Sequence, residues 1–149
     1  MIALLISSIV ISVAYYAFYL IKHQFDRAWK ETAAIRTFDE FSTALSNDVE
    51  RGQWITDSLD SKQLSIGWND SLIRYTIDTA WVVRETAWAS DTFKLKTRVE
   101  KILYISDSLP LIRAVTFVAE IDKVQVPLLK EKRYSTKELM DAEKLFRHE

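Results

Sequence analysis

The sequence predicts an α+β fold: a long N-terminal helix, membrane-spanning and then amphipathic, packed on an antiparallel β-sheet and followed by a short C-terminal helix. Three observations carry that prediction. Ile2 to Ile21 contains no charged residue. Apolar residues then recur at spacings of three and four as far as about Arg51. From Gln63 onward the hydrophobic period falls from about 3.6 to about 2, the change that separates a one-faced helix from a half-buried strand.

Taking the elements in order, about 20 residues at roughly 1.5 Å rise cover the hydrocarbon core of a bilayer, so residues 1–22 read as a transmembrane anchor. Ser7, Ser8 and Ser12 are tolerable in lipid because each hydroxyl can return to a carbonyl one turn back. Tyr15, Tyr16, Phe18 and Tyr19 gather where amphipathic rings sit at headgroup level, and Lys22 and His23 mark the exit into water. A cleaved signal peptide would need basic residues ahead of a shorter apolar run and a small-residue cleavage site after it. A core helix apolar on all sides would need a larger domain to enclose it. The packing face of the anchor is assigned to Ile2, Leu5, Ile9, Ser12, Val13, Ala17, Leu20 and Ile21.

Residues 23–149 read as a soluble domain. Its first part, about 23–51, is an amphipathic helix in which Phe25, Ala28, Trp29, Ile35, Phe38, Phe41, Leu45 and Val49 form the apolar stripe. Asp26, Arg27, Lys30, Glu31, Arg36, Asp39, Glu40 and Asp48 fill the polar positions, Thr32 and Thr37 are the places where the helix would bend or restart, and Gly52 is placed to end it. The antiparallel sheet occupies about 63–126. Ile73, Tyr75 and Ile77 alternate with polar residues, as do Phe93, Leu95 and Val99. Strands are predicted at Leu72–Asp78, Trp81–Glu85, Phe93–Glu100, Ile102–Ile105, Ile112–Ala119 and Ile121–Val126, with hairpin loops at Ala89-Ser90-Asp91 and Ser106-Asp107-Ser108. The stripe of Ile35, Phe38, Phe41 and Leu45 is the natural cover for the sheet's apolar face. Ser135 and Glu138 have capping-box spacing and open a helix over about 135–147, with Leu139, Ala142, Leu145 and Phe146 on its apolar side.

Composition narrows the functions. Twenty Lys and Arg against 21 Asp and Glu give a net charge of -1, so no broad field would draw in nucleic acid, and no nucleic-acid partner is expected. Cysteine is absent, which removes disulfides, thiolate metal sites and cysteine nucleophiles. Only two glycines occur, so no glycine-rich phosphate loop can form. His23 and His148, the two histidines, fall at the membrane exit and the terminal helix, which leaves no two-histidine metal site or histidine dyad. Asp57, Asp60, Asp70, Asp78, Asp91 and Asp107 lack the order of a calcium loop and suit turns. No catalytic residue, metal or cofactor is therefore assigned. Of Trp54, Trp68, Trp81 and Trp88, at least two are expected in the core, while Trp54, Trp68 and Trp88 are the candidate partner contacts, since tryptophan is enriched where interfaces carry their energy.

The run Ala3-Leu4-Leu5-Ile6-Ser7-Ser8-Ile9-Val10-Ile11-Ser12 resembles the early helix of mature type IV pilins and pseudopilins. Phe41-Ser42-Thr43-Ala44-Leu45-Ser46-Asn47-Asp48-Val49-Glu50 resembles the second helical half of J-type minor pseudopilins of type II secretion and of related competence minor pilins, and Ile73-Arg74-Tyr75 with Trp81-Val82-Val83-Arg84 is similar to their strand pair. The resemblance spans roughly Ala3 to Lys96. It implies a non-enzymatic minor subunit of a secretion, pilus or DNA-uptake filament, acting in assembly or at the tip. The implied partners are other pilin-like subunits, the inner-membrane assembly platform and membrane lipid. A single-span accessory or sensor protein binding an envelope partner is the alternative.

The family's basic leader, its glycine at the peptidase cut and its early glutamate have no counterpart here, so a true start upstream of Met1 is expected. Lys22, Arg27 and Lys30 after the span favour a cytoplasmic domain by themselves. A basic leader would reverse that bias, giving the family's single-pass placement in the bacterial inner membrane with a periplasmic or extracytoplasmic domain.

Overall fold

The computed structural model describes residues 2–58, 62–106 and 109–146, with side chains from Ile6 onward. Asp60, Asp107, Arg147, His148 and the side chains of Ile2 and Leu5 lie outside the described residues. The architecture is α+β: α1 (Ile2–Arg51), β1 (Trp54–Asp57), β2 (Gln63–Trp68), β3 (Ser71–Ile77), β4 (Val82–Glu85), β5 (Ser90–Phe93), β6 (Lys96–Ser106), β7 (Leu109–Ile121), β8 (Val124–Glu131) and α2 (Thr136–Phe146). The chain divides into two compact units, Met1–Ala33 and Ala34–Glu149.

In the first unit the backbone is helical from Ile2. Ser12 Oγ donates to the Ser8 carbonyl at 2.8 Å, the return bond that suits a hydroxyl to lipid. Thr32 does the same to Ala28 at 2.8 Å, and α1 is one helix from Ile2 to Arg51 with no restart at Thr32 or Thr37.

The second unit is built around the face of α1 that carries Phe41, Leu45 and Val49, all buried. Burying each such side chain contributes on the order of 1.5–3 kcal/mol. The buried stripe starts later than its spacing predicts: Phe38 is half-buried, while Phe25, Trp29 and Ile35 are exposed. Phe41 meets three rings edge to face, with centroids 6.3 Å from Tyr75, 5.7 Å from Phe93 and 5.8 Å from Phe117. That one side chain touches strands from both of the sheets described next.

The strands form two antiparallel sheets rather than one, ordered β1-β2-β3-β4-β5 and β6-β7-β8. The predicted single strand Phe93–Glu100 is divided between them. Leu95 N donates to Phe93 O at 2.9 Å, a tight turn that ends β5 and starts β6. Phe93, Leu95 and Thr97 stay buried across the corner, which is why the alternation reads as unbroken in sequence. The predicted strand Ile121–Val126 is likewise a hairpin: Ile121 pairs with Val124, and Asp122 and Lys123 hold φ of 46° and 66° in a two-residue turn. The β4–β5 loop is Thr86 to Ala89, earlier than predicted, with Ser90 and Asp91 inside β5. Ser106 pairs with Leu109 as a hairpin there requires. β1 and β2 have no counterpart among the predicted strands.

Gly52 follows the end of α1, but not through a left-handed cap, since neither glycine has positive φ. Its role is space: a Cβ there would sit 2.4 Å from Ile66 Cγ2. Tyr134 ties the sheets together, accepting from Ile55 N of β1 at 3.2 Å and donating to Ile112 O of β7 at 2.8 Å. α2 opens as predicted. Glu138 N donates to Ser135 Oγ at 3.2 Å, and Ser135 N to Glu138 Oε2 at 2.6 Å. Ala142 is buried and Leu139 and Phe146 half-buried, but Leu145 is exposed.

A fragment beginning at Lys30 should remain soluble, with mixed helix and strand signals by circular dichroism, because the core uses α1 only from Phe38 onward. Within it, Phe41→Ala should cost about 3–5 kcal/mol in urea unfolding. An unfolded parent fragment, or a loss under about 1 kcal/mol, would contradict this placement of the core.

Candidate functional site

Asp48 lies one turn beyond Leu45 on the same helix face, a position that packing should reserve for an apolar side chain. It is only 6% exposed. An unpaired carboxylate at that depth would cost several kcal/mol, so partners are needed. The sheet supplies them. Tyr75 on β3 and Arg84 on β4 are direct cross-strand partners, so both side chains reach the same face. Arg84 grips Asp48 with both ends of its fork, Nε to Oδ2 at 2.7 Å and Nη2 to Oδ1 at 3.0 Å, and its Nη1 reaches Asp91 on β5 at 3.0 Å. Tyr75 donates its hydroxyl to Asp48 Oδ2 at 2.5 Å. One carboxylate thus links α1 directly with β3 and β4, and Arg84 carries the link on to β5.

These environments shift the proton affinities. Burial first, and then the hydrogen bond to Asp48, push the Tyr75 phenol well above its ordinary value. The hydrogen bond to Asp48 raises Arg84 further against its partial desolvation, so it is a permanent cation. Tyr134 is raised chiefly by burial. Burial alone would raise Glu138, but the Ser135 N–H, the Ser135 hydroxyl and Lys132 outweigh it and hold the carboxyl below its usual range. Lys132, itself buried, reaches Glu138 Oε1 and the Glu50 carbonyl, both at 3.4 Å.

Above the Asp48–Arg84 pair opens a groove of about 310 Å³, with Trp68, Leu72, Ala87 and Trp88 among its apolar walls and Arg51 at its margin. Trp88 is 91% exposed at the tip of the β4–β5 loop. Thr86 holds that loop: its Oγ1 donates to Ala89 O and accepts from Ala89 N, both at 3.0 Å. A hydrogen-bonded loop that displays a tryptophan offers the kind of side chain that often anchors an interface.

Of the predicted partner contacts, Trp68 and Trp88 come together in this groove. Trp54 does not. It is half-buried, 5.8 Å from Phe146 edge to face, and lies close over Gly67, where a Cβ would stand 2.0 Å from its ring. It lines a separate cleft of about 450 Å³ with Asn69, Lys137, Asp141 and Leu145. The expectation that at least two of the four tryptophans serve the core is overturned, since Trp68, Trp81 and Trp88 are exposed and Trp54 only half-buried. Asp57 and Asp91 serve strands rather than turns, accepting from Tyr104 and Arg84. Asp78 does cap a turn, taking Thr79 N at 2.6 Å. Among the described residues no group of His, Cys, Asp and Glu side chains is arranged to hold a metal ion.

The predicted anchor face is uniformly uncovered: Ile9, Ser12, Val13, Ala17, Leu20 and Ile21 are all exposed. Among the described residues one helix is long and apolar enough to cross a membrane, with a mean hydropathy of 1.3 and none of its apolar window buried. Sequence reasoning missed the Asp48 network, whose one local signal is an acid spaced three residues after Leu45 of the apolar stripe. Comparison with known proteins finds no matching family model, curated protein or solved structure.

Two predictions follow from the network. Arg84→Met leaves Asp48 buried without its cation and should cost about 3 kcal/mol, the low end for breaking a buried pair because the Arg84 side chain keeps 20% exposure. Arg84→Lys should recover only part, since an ammonium cannot bridge both carboxylate oxygens. Equal unfolding midpoints for Arg84→Met and the parent would refute the network's role. Second, phenols raised above the ordinary value of about 10 contribute stability that is complete below that pH and is lost as pH climbs toward their folded-state values. Tyr75 and Tyr134 should therefore ionise, by absorbance near the tyrosinate band, only together with loss of the circular dichroism signal. Free titration of both in the folded domain would contradict their burial.

Proposed function

We propose that the chain is a minor pilin- or pseudopilin-like structural subunit, held in the bacterial inner membrane by the apolar part of α1 and acting in the assembly or at the tip of an envelope filament. The observation that carries this reading is the uncovered apolar helix. Its side chains are exposed around the whole circumference from Ile6 to Ile21, and the same helix goes on to supply the core of the folded unit. An apolar rod of that kind is stable in lipid, and on leaving lipid only within a bundle of similar rods. The resemblance of the Ala3–Ser12 run, and of the helix and strand pair that hold Asp48, Tyr75 and Arg84, supports the same family. In this reading the folded unit lies outside the inner membrane, its role is non-enzymatic, and the Trp68–Trp88 groove supplies subunit-specific contacts.

A second reading, a single-span accessory or sensor protein that binds an envelope partner through the groove without entering a filament, is favoured by the exposure of Trp88 on the hydrogen-bonded β4–β5 loop. One experiment separates them. Cysteines at Ser12 and Ala17 leave the anchor's hydrophobic length intact, and small side chains there let helix backbones approach closely. A filament subunit should cross-link through these positions to a different pilin-like protein, and the cross-links should vanish when the assembly ATPase is inactivated. ATPase-independent self-cross-links alone would exclude the filament.

A further inference from the structure

Phe25 is 62% and Trp29 72% exposed. Both precede Ala34, where the folded unit begins, and both follow the end of the uncharged run at Ile21. The segment between these limits is not polar all round. At roughly 100° per residue, Phe18, Lys22, Phe25 and Trp29 fall on one side of α1 and continue the face of Ile11 and Tyr15. His23, Arg27, Lys30 and Glu31 fall on the opposite side, and the Arg27–Glu31 ion pair at 2.9 Å runs along it. Asp26 sits at the boundary. Two large aromatic side chains therefore share one exposed face of a charged helix.

Their height tests what covers them. Trp29 stands about 12 Å along the helix axis beyond Ile21. The headgroup layer is about 5–8 Å thick, so an upright helix would leave Trp29 in bulk water. A helix leaning toward its aromatic side would return both rings to the layer where such residues reside, with Arg27 and Glu31 turned to water. The cation on the aromatic side, Lys22, suits lipid phosphate, and no acid lies at the centre of that side.

We infer that residues 22–33 are a membrane-surface segment, docked on phospholipid headgroups and upper acyl chains through Phe25 and Trp29, so that α1 meets the bilayer at a tilt set by that face. This rests on the reading of Ile2 to Ile21 as a membrane span. It adds a lipid contact to the first turns of the amphipathic stripe, ahead of the Ile35–Leu45 part assigned to covering the sheet.

The chain has no cysteine, so single cysteines report cleanly. Full-length Val13→Cys, Phe25→Cys, Arg27→Cys, Trp29→Cys and Glu31→Cys variants would carry an environment-sensitive fluorophore in vesicles of mixed zwitterionic and anionic phospholipid. Quenching by iodide in the water and by nitroxide-labelled lipid would then be compared. At positions 25 and 29 iodide quenching should be about threefold or more weaker than at 27 and 31, with nitroxide quenching in the reverse order. The Phe25→Cys label keeps Trp29 in place and so reports the native face. If Val13→Cys is quenched by lipid while all four other positions are equally open to iodide, the span stands and the surface segment is overturned. Iodide access at Val13→Cys overturns the span and the inference with it. Protection at 25 and 29 that disappears as protein is diluted into excess lipid overturns the lipid contact in favour of a second copy of the chain.

Discussion

The packing of α1 on the first sheet is arranged around a buried carboxylate, Asp48. Asp48 shares the helix face of Phe41, Leu45 and Val49, so α1 cannot bury that face without burying the charge. Apolar contacts alone are non-directional and would tolerate a sliding helix. A two-pronged guanidinium and a phenol are not so tolerant. Arg84 and Tyr75 satisfy Asp48 only at one rotation and one height of α1, and Arg84 adds Asp91, so α1 and strands β3, β4 and β5 are registered together. We attribute the specificity of this packing, rather than most of its stability, to the network, since a buried ion pair offsets little more than its own desolvation.

The second sheet joins the same core by other means. The tight turn after Phe93 lets the chain change sheets while Phe93, Leu95 and Thr97 remain inside, and Phe41 receives rings from both sheets. Tyr134 then pairs backbone groups of β1 and β7 that do not bond each other. Among the described residues Thr97 Oγ1 is buried with no hydrogen-bond partner.

What the chain leaves uncovered bears on function as directly as what it buries. A polar side chain buried without partners is costly, and so is a large apolar surface kept in water. The helix from Ile6 to Trp29 and the groove between Trp68 and Trp88 are of the second kind. Both ask for an external apolar phase: lipid or helices for the first, a partner surface for the second. Membrane attachment and subunit contact are, in this proposal, one statement about where exposed apolar surface goes.

The long apolar N-terminal run, the two helices, the antiparallel pairing and the Ser135–Glu138 cap are written in local patterns of charge, period and spacing, and such patterns could be read directly. The α+β class followed because a period of 3.6 and one of 2 cannot be satisfied by the same backbone. The division into two sheets could not be read, because alternation continues through the Phe93–Lys96 corner and only pairing partners distinguish a bend from a strand. Nor could the exposure of Phe25, Trp29 and Ile35, since a stripe shows which side chains share a face but not how far the opposing surface extends. The groove and its floor were decided by tertiary structure alone. Asp48, Tyr75 and Arg84 are separated by 27 and 36 residues along the chain from Asp48, and only the strand register that makes Tyr75 and Arg84 neighbours brings their donors to one carboxylate.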